Sequence, residues 1–345
     1  MPDYRILNSV PSDAPEAQRR ELAVAVLQGL SESPKRLSSK YFYDEQGSRL
    51  FQQIMALDEY YPTRAELEIL ETHAAEIVAP MAGRPFNLVD LGCGDGLKTM
   101  ALLRELTRSG ADVRYVPVDI SEGSMRTVIE RTRNELPDLP IAGLVAEYTD
   151  AIRWLGLEDA ARASLVLFLG SNIGNFTRVE SRGLLRGIWN SLNPADCMLV
   201  GFDLKKDIDV LIAAYNDRLG VTAAFNLNLL HRINRELGAD FDVDAFRHYG
   251  TYDADLGAMT SHVVSRVPQR VRIEALEMTF DFAAWEPIHT EYSYKYLESD
   301  IVSLASDTGF EIVGQFTDSR RYFADSLWRA REGHWVPSKP PNGLG

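Results

Sequence analysis

One segment, residues 88–99, constrains the fold more than any other part of the sequence; it reads Leu-Val-Asp-Leu-Gly-Cys-Gly-Asp-Gly-Leu-Lys-Thr. Its first four residues are apolar except for Asp90, as in a buried strand of a parallel sheet. Three glycines at alternating positions then permit a sharp turn and let a ligand approach the backbone closely. The apolar spacing from Lys98 onward predicts a helix that begins at the turn. Together these elements predict a nucleotide-type pocket at the carboxyl end of a sheet.

The spacing of the glycines bears on the cofactor. A dinucleotide site requires G-x-G-x-x-G, whereas this chain has G-x-G-x-G and places Leu97 where the third glycine of that motif belongs. A second predicted strand, residues 115–120, contains Asp119 near its end, where an acid suits the ribose diol of either cofactor. The combination Asp-x-Gly-x-Gly-x-Gly resembles the first motif of Rossmann-like methyltransferases, which bind S-adenosylmethionine. A plain strand–helix turn without a ligand is the alternative.

Composition excludes several classes of function. A formal charge of −14 argues against a nucleic-acid partner, because neutralising phosphates requires a basic face. The two cysteines, Cys93 and Cys197, form neither a disulfide framework nor a metal-ligand spacing, so no metal is expected. There is no signal-peptide pattern and no apolar run of about 18 residues or more. We therefore expect no membrane association and a cytoplasmic location.

Along the rest of the chain, the apolar patterns alternate between helix and strand. Residues 1–16 are mostly polar and are expected to be loosely held. Residues 164–169 are the most strand-like run and open into a loop that places Asn175 where a substrate would bind, although an Asx turn or a helix N-cap would also explain that residue. From about residue 233 to 282 apolar residues often alternate, which predicts antiparallel strands.

Two short polar segments, residues 40–48 and 58–64, hold five tyrosines and phenylalanines between them. Such rings cover the edge of a core or form a lid or substrate pocket, and both interpretations remain open from the sequence. Pro62 is expected to end the second segment as a turn.

We expect an α/β fold: a Rossmann-like class I methyltransferase domain with a second, α+β substrate-binding domain. The cofactor domain is assigned to residues 64–205 and 295–331, and the substrate domain to 17–63 and 206–294. Residues 332–345 contain several prolines and glycines and are predicted to form a flexible tail.

Linked blocks of sequence carry a more specific resemblance. They read Phe-Tyr-Asp-x-x-Gly-Ser at 42–48, Glu-Tyr-Tyr-Pro-Thr-Arg at 59–64, Phe-Leu-Gly-Ser-x-Ile-Gly-Asn at 168–175, Ala-Tyr-x4-Gly-Val-Thr-Ala-Ala-Phe-Asn at 214–226 and Asn-Arg-Glu at 234–236. In this order they resemble the ergothioneine-pathway L-histidine Nα-methyltransferase family, over roughly residues 18–331. The resemblance implies S-adenosylmethionine-dependent trimethylation of the α-amine of histidine to hercynine.

The resemblance also implies roles for individual residues. On the substrate side, Tyr43 matches the residue that contacts the reacting α-amine, and Tyr60 matches a ring that faces the imidazole. Asn175 and Tyr215 match the pair that holds the carboxylate, with Gly170 nearby. Glu291 and Ser293 match the residues that bind the imidazole nitrogens, and Met259 matches a methionine on the flank of the side chain. On the cofactor side the matching positions are Gly92, Gly94, Lys98 and Asp119, with Glu147 and Tyr148 at the adenine edge. The family usually has Gly-Asp-Phe at that edge, and Glu147 retains an acceptor for the adenine amine.

Glu291 and Ser293 lie two residues apart, so on a strand they share one face. A neutral imidazole presents one donor and one acceptor, which such a pair can satisfy together. A related Nα-methyltransferase for tryptophan is the nearest alternative, and an indole offers only one N–H donor. A non-catalytic protein that binds S-adenosylmethionine is the alternative from another class. We expect a small-molecule partner and a monomer.

Overall fold

The computed structural model describes residues 4–7, 14–158, 162–194 and 196–333. Within these ranges the strands, β1 to β13 in chain order, are Tyr4–Ile6, Phe86–Leu91, Val113–Asp119, Gly143–Val145, Ala163–Phe168, Cys197–Asp203, Phe246–Asp253, Ala258–Ser265, Gln269–Ile273, Met278–Phe282, Glu286–Tyr294, Phe310–Thr317 and Phe323–Ala330. The α-helices, α1 to α10, are Ala14–Ser31, Glu45–Met55, Pro62–Val78, Thr99–Arg108, Glu122–Glu135, Tyr148–Glu158, Arg178–Ser191, Ile208–Tyr215, Val221–Leu237 and Glu298–Asp307. The predicted tail lies outside the described residues beyond Gly333.

Eight strands form one sheet in the order β1-β4-β3-β2-β5-β6-β13-β12. Strands β1 to β6 pair in parallel, and β13 is antiparallel to both β6 and β12. The central order is that of a doubly wound α/β sheet, extended at one side by an antiparallel hairpin. This arrangement confirms the predicted α/β class.

The expectation that residues 1–16 are loosely held was wrong at two places. Residues Tyr4–Ile6 pair in parallel with β4, and α1 already begins at Ala14. A strand of three residues is too short to show a recognisable pattern of apolar side chains. It is held in the sheet by backbone hydrogen bonds, which do not depend on the side chains.

Alternating side chains of the parallel strands fill the two faces of the large sheet. Leu88, Leu165 and Leu199 belong to one buried cluster, while Val89, Val166 and Val200 belong to the cluster on the other face. Helices cover both faces, which is why these strands read as continuous apolar runs rather than as alternating ones.

A second core holds helices α1, α2 and α9 against the three-stranded sheet β11-β8-β7 and the hairpin β9–β10. Strands were predicted from about residue 233, but α9 continues to Leu237 and β7 begins only at Phe246. Leu229, Ile233 and Leu237 recur every four residues and are buried on one helix face, so the helical period prevails in this stretch.

The carboxyl ends of the parallel strands meet at one edge of the large sheet and supply the chemically active segments. Gly92 follows β2, Asp119 ends β3, Glu147 follows β4, Gly170 follows β5 and Asp203 ends β6. A ligand site is therefore expected at this edge. Among the helices of the described residues, none is long and apolar enough to span a membrane.

The segment that precedes α2 is fixed by Asp44. Its carboxylate caps the helix by accepting from the Gly47 backbone N–H at 2.7 Å, and it also accepts from Asn228 at 2.8 Å and Arg235 at 2.6 Å on α9. A Cβ on Gly47 would lie 1.7 Å from the carbonyl oxygen of Phe42, so only glycine fits here. Asp44 thus ties residues 40–48, which we call the first aromatic segment, to the second core.

We expect Asp44→Ala to lower the free energy of unfolding by about 1–2 kcal/mol, because the cap and its ties to α9 are lost together. Asp44→Asn is the matched control, since an amide oxygen still caps the helix while the charge opposite Arg235 is removed, and its loss should be smaller. Urea unfolding of the three proteins measures both. Equal stability of Asp44→Ala and wild type would contradict this role.

Candidate active site

Two connected cavities lie at the active edge of the sheet. The larger, which we call the cofactor cleft, has a volume of about 500 Å³ and is lined by the glycine turn, Asp119 and the segment after β4. The smaller, the substrate pocket, has a volume of about 50 Å³ and lies between the two cores. Both are lined by Tyr43, Phe51, Tyr60, Pro62, Gly170, Asn172 and Asn175. Two bound molecules would therefore meet at these residues.

The glycine turn is shaped by buried contacts on both sides. Gly92 has a φ of 76°, which favours glycine. A Cβ there would lie 2.8 Å from the hydroxyl oxygen of Tyr148, so a side chain at this position would clash with the wall of the cleft. Oδ2 of Asp90 accepts from Thr99 at 2.6 Å and from Tyr115 at 2.9 Å. Burial raises the pKa of Asp90 to about 6. Asp90 thus joins β2 to the start of α4.

Asp119 is held rigidly at the cleft. Its two oxygens accept from the backbone N–H groups of Gly94, at 3.0 Å, and Ser121, at 2.9 Å. Burial raises its pKa above the ordinary value, and these N–H groups oppose that rise. The lone pairs that remain can accept from a ligand hydroxyl.

Lys98 reaches the cleft from the start of α4, where Glu66 of α3 fixes it. The Glu66 carboxylate is fully buried and lies 2.5 Å from the Lys98 ammonium. Its two oxygens also accept from the Gly170 backbone N–H, at 2.7 and 2.9 Å. One buried carboxylate therefore positions both a cation of the cleft and the loop that follows β5.

Glu147 lies at the outer rim of the cleft, where it pairs with Lys40, which also pairs with Glu21. All three side chains are at least a third exposed, so the pairs contribute little to stability. They connect the first aromatic segment to the rim of the cofactor cleft.

Aromatic rings form one wall of the substrate pocket. Tyr43 lies edge-on to Phe51 and Phe225, with ring centroids 5.7 and 5.8 Å apart, and Phe51 lies 6.3 Å from Tyr60. Burial raises the pKa of Tyr43 and of Tyr60 well above the ordinary value. Both phenols are therefore neutral at physiological pH. Of the rings in residues 40–48, Tyr43 lines the pocket and Phe42 is buried in the second core, so each interpretation left open by the sequence applies to one ring.

Polar side chains also line the pocket, and we call Asn175, Tyr215, Glu291 and Ser293 the polar wall. Burial raises the pKa of Glu291 to about 7, although Lys295 opposes that rise. Asn175 ends a 3₁₀ turn at Asn172–Asn175, and the hydroxyl of Thr177 caps α7 instead. The N-cap alternative for Asn175 was therefore wrong, and its amide faces both cavities.

A buried ionic network, which we call the Asp203 cluster, adjoins this polar wall, and Asp203 itself lines the pocket. Lys295 lies 2.9 Å from Oδ2 of Asp203, Lys206 pairs with Oδ1, and the hydroxyl of Tyr61 donates to both oxygens at 2.8 Å. Burial alone would raise the pKa of Asp203, but the two ammonium groups outweigh it and hold that pKa below the ordinary value. Burial lowers the pKa of Lys206 to about 8.

Lys295 also reaches the pocket wall, because it donates to Ser293 at 2.7 Å and to Tyr215 at 2.9 Å. The hydroxyl oxygens of these two residues are themselves 2.7 Å apart.

The structure gathers almost all the predicted site residues around the two cavities. The cofactor cleft is lined by Gly92, Gly94, Lys98, Asp119, Glu147 and Tyr148, and the substrate pocket by Tyr43, Tyr60, Gly170, Asn175, Tyr215, Glu291 and Ser293. Met259 is the exception: it is not among the described residues that line either cavity. It is buried against Tyr60 and Tyr215 and so supports the pocket from behind.

Four side chains that matter to the site were not predicted: Phe51, Glu66, Asp203 and Lys295. Asp203 had a signal, because like Asp119 it ends an apolar strand. Lys295 also had one, because it continues the alternation of Glu291 and Ser293. Glu66 and Phe51 lie within helices, and their helical spacing gives no sign that they face a cavity.

The sheet order, the glycine turn and a second pocket at the same edge define a class I methyltransferase fold with room for a second substrate. The comparisons agree with this class. The pattern of the family described as histidine-specific methyltransferase, SAM-dependent, matches residues 22–330, and this chain belongs to that family.

Individual relatives are similar over most of the chain. A histidine N-alpha-methyltransferase of Mycolicibacterium smegmatis is 40% identical over 314 residues, covering 91% of this chain and 95% of that protein. One of Mycobacterium tuberculosis is 38% identical over 302 residues, covering 88% and 92%. Ergothioneine biosynthesis protein 1 of Neurospora crassa is 31% identical over 307 residues, covering 87% of this chain and 34% of that protein.

The cleft suits the cofactor on which the family depends. Asp119 offers carboxylate oxygens for a ribose diol, Glu147 offers an acceptor for an adenine amine, and Lys98 offers a cation for a carboxylate. A Cβ at Gly92 would reduce the space beside the glycine turn. Without side chains at Gly92 and Gly94, the cofactor has room to contact the backbone.

The raised pKa of Glu291 predicts how its charge affects stability. The folded-state pKa, about 7, lies above the ordinary value for glutamate, about 4.3, so ionised Glu291 destabilises the unliganded fold. The free energy of unfolding should therefore fall as the pH rises between these values, and the loss is complete above pH 7.

Glu291→Gln removes this effect. Its Tm relative to wild type should be higher at pH 8 than at pH 5, by about 2 °C or more. Differential scanning calorimetry at the two pH values measures the difference. Glu130→Gln, on the exposed face of α5, is the matched control and should follow wild type at both values. A Tm difference for Glu291→Gln that does not change with pH would refute the raised pKa.

Proposed function

We propose that this protein transfers three methyl groups from S-adenosylmethionine to the α-amine of L-histidine. The product is hercynine, the trimethylated betaine of histidine, and the reaction is a step of ergothioneine biosynthesis. The observation that carries the proposal is the pair Glu291 and Ser293 in a pocket that opens into the cofactor cleft. Membership of a histidine-specific family and the names of the relatives support it.

The polar wall accounts for the choice of side chain. Glu291 accepts from the N–H of a neutral imidazole, and the hydroxyl of Ser293 donates to the other nitrogen. An amino acid without these nitrogens would leave buried polar groups unpaired, at a cost of about 1–3 kcal/mol for each group. Asn175 and Tyr215 hold the substrate carboxylate, and they place the α-amine toward the cleft.

Catalysis in this proposal is positioning. When bound, S-adenosylmethionine would supply an electrophilic methyl group on a sulfonium, and each transfer would exchange its S–CH3 bond for an N–CH3 bond, leave S-adenosylhomocysteine and release one proton from the α-ammonium. Tyr43 lies where the pocket meets the cleft and orients the lone pair of the α-amine, and Gly170 and Asn175 fix the same junction. Tyr43 does not act as a general base, because burial keeps its phenol protonated.

The aromatic wall suits a substrate that becomes more methylated with each round. The first two products still carry an amine that can react again, and the third is a quaternary ammonium. Tyr43, Phe51, Tyr60 and Phe225 present rings around the junction, and aromatic rings attract such cations. The pocket therefore tolerates all three stages.

Methyl transfer measured by product mass tests the function. Histidine, tryptophan and tyrosine are offered separately with S-adenosylmethionine, and we expect a trimethylated product from histidine alone. Trimethylation of tryptophan in preference to histidine would overturn the assignment of the polar wall. Absence of transfer to histidine by protein that still binds the cofactor would overturn the proposed function.

Tyr43→Phe should reduce kcat with histidine by about tenfold or more, since hydrogen bonding that orients a reacting group contributes at least this much. The dissociation constant for S-adenosylmethionine, measured by calorimetry, should stay within about threefold of wild type, because the ring remains. Tyr41→Phe is the matched control on the same segment, because its ring lines neither cavity among the described residues. Equal losses in kcat and cofactor affinity would remove Tyr43 from the chemistry.

A further inference from the structure

Lys295 lies directly behind the substrate pocket and has no exposed surface. An ammonium group has three N–H donors and no acceptor. Here all three have partners: Oδ2 of Asp203 at 2.9 Å, the hydroxyl of Tyr215 at 2.9 Å and the hydroxyl of Ser293 at 2.7 Å. Asp203 thus holds the Lys295 ammonium in place, and the other two hydrogens of that ammonium point at hydroxyl groups of the pocket.

This contact determines how the two hydroxyls behave. Each oxygen uses a lone pair to accept from Lys295, so its own hydrogen is directed elsewhere. In the unliganded pocket the two oxygens are 2.7 Å apart and share one hydrogen bond, which leaves one hydroxyl hydrogen for a ligand. A substrate that offers one acceptor to each hydroxyl breaks the hydrogen bond between Tyr215 and Ser293 and so frees the second hydrogen. Both Ser293 and Tyr215 then donate into the pocket.

The charge in the pocket agrees with this reading. Among the described residues that line the substrate pocket, none is a lysine or an arginine. Lys206 contacts Tyr61 and the Leu204 carbonyl, so the positive charge that contacts the two pocket hydroxyls is that of Lys295. Through Tyr215 that charge favours the carboxylate of an amino acid, and through Ser293 it disfavours a protonated imidazole.

We propose that Lys295 is a specificity-determining positioning residue, which fixes the hydroxyls of Ser293 and Tyr215 as donors so that the pocket selects a neutral ring with an acceptor nitrogen opposite Ser293. The inference rests on the proposed function and deepens it. Glu291 selects the N–H of the ring, and Lys295 selects, through Ser293, the nitrogen without a hydrogen. A pyrrole ring, which keeps an N–H and has no acceptor nitrogen, satisfies only the first condition.

The experiment compares histidine with its two pyrrole analogues, 3-(pyrrol-2-yl)alanine and 3-(pyrrol-3-yl)alanine. The readout is the ratio of kcat/KM for histidine to kcat/KM for the better analogue. In wild type we expect a ratio of about ten or more, because the analogue leaves the Ser293 hydrogen unpaired. In Lys295→Met the ratio should fall toward one, and KM for histidine should rise about tenfold or more while kcat changes less.

Lys206→Met is the matched control. It removes the other ammonium group from Asp203, and Lys206 donates to Tyr61 and to the Leu204 carbonyl rather than to a pocket hydroxyl. Its ratio should remain that of wild type even if its Tm falls. If Lys295→Met does not fold, the triple variant Asp203→Asn, Lys206→Met, Lys295→Met removes the acid and both ammonium groups of the cluster together, leaves none of them buried without a partner, and should show the same loss of preference.

Three results would count against these assignments, and they do so in different ways. Turnover of histidine by wild type with an unchanged ratio in Lys295→Met, or in the triple variant, would overturn the role of Lys295 alone. An equal fall of the ratio in Lys206→Met would do the same, since the effect would then follow from damage to the cluster. Absence of histidine turnover in wild type would overturn the proposed function and this inference together.

Discussion

The substrate pocket depends on one buried carboxylate, that of Asp203, at the end of β6. Its side chain accepts from Lys206, Lys295 and Tyr61, which come from three different parts of the chain. Its backbone N–H donates to Ser171 at 3.1 Å, and its carbonyl accepts from Tyr296 at 3.0 Å. The large sheet, the loop after β5 and the end of β11 are therefore joined at one residue. A charge buried this deeply is tolerated because it is paired and hydrogen-bonded throughout.

This arrangement keeps the ammonium groups of the cluster away from the substrate. Lys295 and Lys206 do not line the pocket, whose described lining presents hydroxyls, amides, phenols and the carboxylates of Asp203 and Glu291. Glu291 lies on the same strand as Ser293, and burial raises its pKa to about 7. The pocket is thus suited to a zwitterionic amino acid with a neutral ring that donates to one side and accepts from the other.

The sequence was informative where local pattern and chemistry coincide. The glycine turn and the acid at the end of β3 follow from alternation and spacing, and the resemblance to a family supplied the residues of the substrate pocket. Helix α9 was partly misread because short apolar runs fit both periods. The ion pairs of Glu66 and Lys295 could not be predicted from the sequence for another reason. Their partners, Lys98 and Asp203, are far away in the sequence, and only the folded chain shows which charge meets which.

The loop that follows β5 explains how a site without a general base among its tyrosines can act by positioning. Glu66 accepts from the Gly170 N–H on the side of the cofactor cleft, and the neighbouring Ser171 accepts from the Asp203 N–H on the side of the substrate pocket. Gly170 has a φ of 76°, and a Cβ there would lie 3.0 Å from the Lys98 ammonium. The loop is therefore held from both cavities by buried groups. One short segment thus lines both cavities, and its buried contacts hold it in place without a ligand, which is the pre-organisation that catalysis by positioning requires.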